Sequence, residues 1–332
     1  MRIVALEEHF NIPSLVSRIP AQSIRARGFP LPENMPPRTA LAQAKLSDLG
    51  AGRIGDMDAA GITMQVLSIS GPGADLLPPE DGITWAREAN DILATAVAGN
   101  STRFAAFAHL PMTAPEAAAD ELERSVRDFG FAGALINGTT QDKFLDDPAF
   151  DPILARAEQL DVPIYIHPNI PPQAVRTAYY DNLPPPMGYM LSIAAFGWHA
   201  ETAIHVLRLI FAGTLERHRN LKIIIGHMGE GLPMAMARTS GMAEQETAKY
   251  LSRTVAQTLT EQVYVTTSGQ FTYPPMMALL ATFGIDHVLF SNDYPFSPND
   301  RGRNFLDNLP LASADIAKIA HGNADRLLKL KV

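Results

Sequence analysis

The stretch Lys222–Gly231 reads KIIIGHMGEG. Three successive isoleucines make a β-branched run with no polar alternation. That pattern predicts a strand buried on both faces, as in a parallel sheet. The run ends at Gly226 and His227, and the glycines beyond let the backbone turn sharply into a helix. Similar apolar runs occur at Arg2–Leu6, Met64–Ser70, Phe104–Leu110, Ala132–Ile136, Pro163–His167, Val263–Thr267 and His287–Ser291. With Lys222–Gly226 they make eight. No repeat of fixed period accompanies them.

Helical patterns fill the gaps. Trp85, Ala89, Ile92, Leu93 and Ala96 share one face, and Gly99 ends that pattern. Thr113-Ala-Pro-Glu116 predicts a capping box, after which Leu122, Val126 and Phe129 face inward up to Gly130. Alternating strands and helices over 332 residues predict an α/β fold, a (β/α)8 TIM barrel formed by residues 1–332 as one domain. A doubly wound parallel sheet is the alternative, because periodicity does not encode closure. Two proline-containing insertions, Ile12–Leu46 and Pro168–Gly197, follow the first and fifth predicted strands. Strand C-termini are where barrel enzymes build sites, so these insertions are expected to cap the mouth or reach a neighbouring subunit. Plain surface insertions are the simpler alternative.

Composition narrows the class. Hydrophobic residues make up 46 % and charged residues 19 %, enough to build a core and too apolar for a disordered chain. No apolar run approaches the length of a membrane span, and the start MRIVALEEHF lacks a signal-peptide pattern. A cytoplasmic address is therefore expected. The chain has no cysteine, which excludes disulfides, thiolate nucleophiles and cysteine-bound metals. A net charge of −8 without a Lys/Arg run argues against nucleic acid as a partner.

Ligand-type residues crowd the strand ends. The first strand runs into Glu7-Glu8-His9, and an extended chain would point Glu7 and His9 to the same side. The fifth ends at His167, the sixth at His227 and the eighth at Asp293. A closed barrel brings these to one mouth, where carboxylates and imidazoles suit one divalent ion such as Zn²⁺ or Mn²⁺. Glu230 can reach back to His227 and fix its tautomer, making His227 an acid/base group or a further ligand. Alternatively Glu230 simply favours a helix N-terminus. The remaining histidines, His199, His205, His218, His287 and His321, read as structural. His109 lies close enough to a strand end to reach the pocket.

Five motifs carry a resemblance: ALEEHF at the start, YIHP at Tyr165–Pro168, IIGHMGEGLP at Ile224–Pro233, VTTSG at Val265–Gly269 and FSNDYPF at Phe290–Phe296. They resemble the decarboxylase branch of the amidohydrolase superfamily, the group around aminocarboxymuconate semialdehyde and γ-resorcylate decarboxylases. The resemblance spans nearly the whole chain. It implies Glu7, His9, His167 and Asp293 as metal ligands, and His227 as active-site histidine with Glu230 as its partner. Arg238, Tyr294 and Phe296 are implied near an aromatic acid substrate, and a homodimer or homotetramer is implied. The implied reaction is loss of carbon dioxide after protonation of the ring carbon that bears the carboxyl group, with Asp293 and His227 as candidates for the proton transfers. Asn292 and Tyr294 depart from the usual FSTDWPF, and the small side chains before Arg238 suggest a wider or more apolar pocket.

Two other functions compete. One is a metal-dependent hydrolase of a lactone, ester or amide. The fourth strand ends in Ile136-Asn137-Gly138, without a lysine to bridge two metals, so a one-metal hydrolase is the form that remains. The other is a binding protein with a structural metal, which an assembled acid/base pair argues against.

Overall fold

The computed structural model describes residues 1–30 and 37–330. Its strands are β1 (Val4–Phe10), β2 (Met64–Ile69), β3 (Phe104–Ala106), β4 (Ala108–His109), β5 (Ala134–Asn137), β6 (Ile164–His167), β7 (Ile223–Ile225), β8 (Val263–Thr266) and β9 (Val288–Leu289). All neighbouring pairs are parallel. β3 and β4 are halves of one barrel strand interrupted at Phe107. The Phe107 N–H still donates to the Leu67 carbonyl at 2.9 Å, and Ala132 N–H to Ala106 at 2.8 Å, so the wall is continuous there. A parallel bridge between Leu6 and Ser291 joins the first strand to the last. The sheet therefore closes, which decides for the (β/α)8 barrel over the open sheet.

The three isoleucines explain themselves in the barrel wall. Ile224 packs inside with Val4, Leu6, Val66, Phe107, Leu135 and Leu289. Ile223 and Ile225 face the helices, in the layer that holds Ile3, Ala5, Ile164 and Ile166. Burying both faces removes any polar position from the run. Each such side chain contributes about 1.5–3 kcal/mol of transfer free energy.

The helical layer includes α1 (Ala51–Ala60), α2 (Pro79–Gly99), α3 (Pro115–Phe129), α4 (Asp151–Leu160), α5 (Gly197–Phe211), α6 (Leu232–Thr247), α7 (Tyr273–Phe283) and α8 (Asn299–Asp307). Two local expectations need correction. On α2, Trp85, Ala89 and Leu93 are buried, but Ile92 is exposed and Asn90 takes an inward place. Asn90 earns burial by pairing with His109 and Glu121 at 2.8–2.9 Å. The capping box at Thr113 does not form. Pro115 takes the start of α3, Ala114 becomes the N-cap, and the Thr113 hydroxyl turns to the Leu77 carbonyl.

The insertion after β1 carries short helices at Pro13–Val16, Ala21–Arg27 and Pro37–Leu46; its residues 31–36 lie outside the described residues. The insertion after β6 carries Gln173–Tyr179, Met187–Met190 and a kinked turn, Leu191–Ala195. The two insertions touch: Arg27 donates to the Ile170 carbonyl and Arg176 to the Ala26 carbonyl. Among the described residues, no helix is long and apolar enough to cross a membrane.

Candidate active site

β1 does not run as an ideal strand. Its register against β2 shifts between Ala5 and Glu8, and Glu7 adopts φ 59°. The extended-chain expectation for Glu7 and His9 therefore fails in its backbone detail. The bulge still re-aims Glu7 so that its carboxylate meets His9 inside the mouth. A positive φ in a residue other than glycine costs about 1–3 kcal/mol and persists only where surroundings over-determine it. His227 (φ 48°), Met228 (57°), Glu230 (56°) and Asp293 (67°) share this conformation. Strained backbone thus gathers at the strand ends that hold the candidate residues.

Glu7 Oε1 lies 3.3 Å from His167 Nε2, 3.5 Å from His227 Nε2 and 3.9 Å from His9 Nε2. His9 Nε2 lies 3.4 Å from Asp293 Oδ1. Neither Glu7 Oε1 nor His9 Nε2 has a hydrogen-bond partner, although both are buried. Ligand atoms about 2.0–2.2 Å from one ion sit roughly 3.0–3.7 Å from one another. The spacing of Glu7, His9 and His167 and the orphaned atoms therefore fit a divalent cation, with Asp293 standing beside His9. Glu7 Oε2 accepts from the Tyr165 hydroxyl, which also contacts Thr266 Oγ1 at 3.0 Å. Gly226 is required here, because a Cβ would sit 2.6 Å from Glu7 Oε2.

Burial alone would raise the Glu7 carboxyl, but the surrounding imidazoles of His227, His167 and His9 outweigh it and hold it well below the usual range. Burial lowers the His9 imidazole against the pull of Asp293. Burial also disfavours charge on His227, yet Glu230 and Glu7 push it up to about 10.

His227 Nδ1 is 2.9 Å from Glu230 Oε1. The other carboxylate oxygen, Oε2, is 2.5 Å from His199 Nδ1. His199, read from the sequence as structural, shares this carboxylate with His227. It stands in the first turn of α5, whose start the kink at Leu191–Ala195 sets against the turn after β7. A cleft of about 620 Å³, open to solvent, is lined by Phe196, His199, His227, Met228, Met234 and Gln270, among others.

The other sequence candidates separate. Phe296 meets the His9 ring edge-on at 5.8 Å. Tyr294 sends its hydroxyl to Asp56 at 2.8 Å and lies under the Arg53 guanidinium, away from the cluster. Arg238 is exposed on α6. His109 accepts the Ala74 N–H at 3.0 Å instead of reaching the pocket, and His205 accepts the Leu145 N–H at 2.9 Å. His218 sits between Asp151 and Glu158, His287 against Tyr264, and His321 on Asp325. Three contributors escaped the sequence reading. Tyr165 carried a signal, since it precedes His167 by two and shares its face. Glu8 carried none. Burial pushes its carboxyl up to about 8, while Asn292 and Ser291 bond it across the closing seam and Gln65 bonds it from β2. His199 lies too far from His227 along the chain to be linked with it.

Comparison with known proteins identifies the family. The amidohydrolase family profile matches residues 33–330. A γ-resorcylate decarboxylase from Rhizobium sp. is 37 % identical over 338 residues, covering 98 % of each chain. A dihydroxybenzoic acid decarboxylase from Polaromonas sp., solved with manganese and 2-nitroresorcinol, superposes with TM-score 0.88 at 35 % identity, covering 99 % of this chain and 97 % of that one. A 5-carboxyvanillate decarboxylase from Novosphingobium aromaticivorans, solved with manganese and 4-hydroxy-3-methoxy-5-nitrobenzoic acid, gives 0.90 at 31 % identity, covering 99 % and 96 %. With a profile match over most of its length and full-length relatives above 30 % identity, this chain belongs to the amidohydrolase family, in the branch that holds the γ-resorcylate decarboxylases.

Proposed function

We propose that this protein is a metal-dependent, non-oxidative decarboxylase of a hydroxylated aromatic acid, working as one domain. The observation that carries the reading is the buried Glu7 Oε1, unpartnered and facing three imidazoles, beside a His227–Glu230 pair. The substrate class is drawn from related decarboxylases solved with 2,6-dihydroxybenzoate, 2-nitroresorcinol and 4-hydroxy-3-methoxy-5-nitrobenzoic acid. Glu7, His9, His167 and Asp293 would hold one divalent ion, with manganese favoured because two related structures contain it. When bound, that ion supplies a Lewis acid for adjacent phenolate and carboxylate oxygens.

The chain's own groups handle the proton. Glu230 engages His227 Nδ1, which leaves Nε2, directed at the cluster, to give and take a proton. Asp293, also at the cluster, is the second candidate for this work. A proton added to the ring carbon that bears the carboxylate breaks aromaticity. The carbon–carbon bond then breaks, carbon dioxide leaves, and its electron pair restores the ring. Phe296 supplies an apolar edge beside His9; Arg238 and Tyr294 are not needed for this reading. A homodimer or homotetramer is proposed on the family resemblance alone.

The test is a panel of ortho-hydroxylated benzoates with manganese-loaded protein, followed by carbon dioxide release. Turnover without an organic cofactor, and one equivalent of metal by elemental analysis, are expected. Replacing His227 with Asn should reduce kcat by roughly 10²–10⁴-fold with the metal retained. A panel without carbon dioxide release, together with metal-dependent cleavage of lactones or amides, would make the protein a hydrolase.

A further inference from the structure

We propose that His199 is a positioning residue for His227, acting through Glu230 from outside the metal cluster. The inference rests on the reading of His227 as the proton-handling group. The Glu230 side chain is fully buried, and its two oxygens are divided between two imidazoles. Oε1 meets His227 Nδ1 and Oε2 meets His199 Nδ1. The rings of His199 and His227 also contact edge to face, with centroids 4.7 Å apart.

His199 is itself pinned. Its Nε2 lies 3.0 Å from the Ala194 carbonyl. A carbonyl only accepts, so Nε2 carries a hydrogen and the ring cannot flip without losing that bond. Ala194 belongs to the kinked turn that ends the insertion after β6. The insertion therefore sets the ring, the ring sets the carboxylate, and the carboxylate sets the His227 imidazole. Without His199, Glu230 Oε2 loses its polar partner in a buried place and the carboxylate is free to turn. The effect falls on orientation of the proton-handling atom, because His199 contacts none of Glu7, His9, His167 or Asp293 through a hydrogen bond or ion pair among the described residues.

The experiment compares His199→Ala and His199→Asn in the manganese-loaded enzyme, with His227→Asn in parallel. Removing a carboxylate–histidine support typically costs about 10–100-fold. We expect that loss in kcat for His199→Ala, with KM and bound metal unchanged. Asn offers an N–H near the position of Nδ1 and should recover most of it. A second readout is the low-field proton resonance of His227 Nδ1–H in the zinc-loaded protein, assigned by its loss in His227→Asn. It should weaken in His199→Ala and return in His199→Asn. If His199→Ala does not fold, His199→Phe fills the volume and the same readings decide. Wild-type kcat in the Ala or Phe variant, an Asn variant no better than Ala, or loss of metal in step with kcat overturns the inference. Wild-type turnover in His227→Asn would instead sink the reading on which it rests.

Discussion

At the scale of single residues, the site depends on groups that bond the candidate ligands as much as on the ligands themselves. Tyr165 is the plainest example. Its hydroxyl donates to Glu7 Oε2, and burial followed by the Glu7 charge raises its own pKa well above the ordinary phenol value. It thus stays a donor at any working pH and orients the oxygen pair of Glu7. Tyr165→Phe should leave the barrel intact and weaken metal binding by about 10–100-fold, measured by competition with a chelator. An unchanged affinity would show that Glu7 is aimed without the Tyr165 hydroxyl. The candidate ligands Glu7, His9, His167 and Asp293 were legible in the sequence because each follows or ends an apolar run. His199 was not legible, since its partner Glu230 lies 31 positions away and no periodicity links a helix start to a turn after a strand.

At the scale of elements, two histidines act as buried acceptors that tie loops to the barrel layer. His109 at the end of β4 receives the Ala74 N–H, and His205 on α5 receives the Leu145 N–H. Burial lowers them to about 4 and about 3 respectively. The unfolded chain, with imidazoles near 6.5, then binds more protons than the folded one between those values and 6.5. Stability is therefore full above pH 6.5 and drains as pH falls toward 4 and then 3. Each histidine should cost about 2 kcal/mol at pH 5 relative to pH 7. Urea unfolding at both pH values checks this, and His205→Gln, whose amide oxygen can still accept, should show a shallower slope than wild type. An equal slope would mean that His205 already titrates in the folded protein. The capping failure at Thr113 teaches the same lesson of local competition. A proline at the first helical position decided the boundary over a favourable Thr-x-x-Glu spacing.

At the scale of the whole molecule, closure of the sheet concentrates charge that no open arrangement would hold together. Glu7 Oε1 and His9 Nε2 have no hydrogen-bond partner, and a bound cation would resolve that cost. Stripping divalent metal should therefore lower Tm by several degrees and abolish turnover, with both restored by Mn²⁺ in a calorimetric titration. A Tm indifferent to chelation would separate the cluster from folding stability. By itself the sequence determined the eight apolar runs and the alternating α/β class, because burial on two faces leaves a purely apolar signature. It also determined which acids and histidines stand at strand ends. Tertiary structure alone decided that the wall closes through Leu6 and Ser291, that Glu8 bonds the seam, and that His199 grips Glu230. Local periodicity records which way a side chain faces along its own strand or helix. It holds no record of distances between segments, and hydrogen bonds and metal ligation act only within a few ångströms.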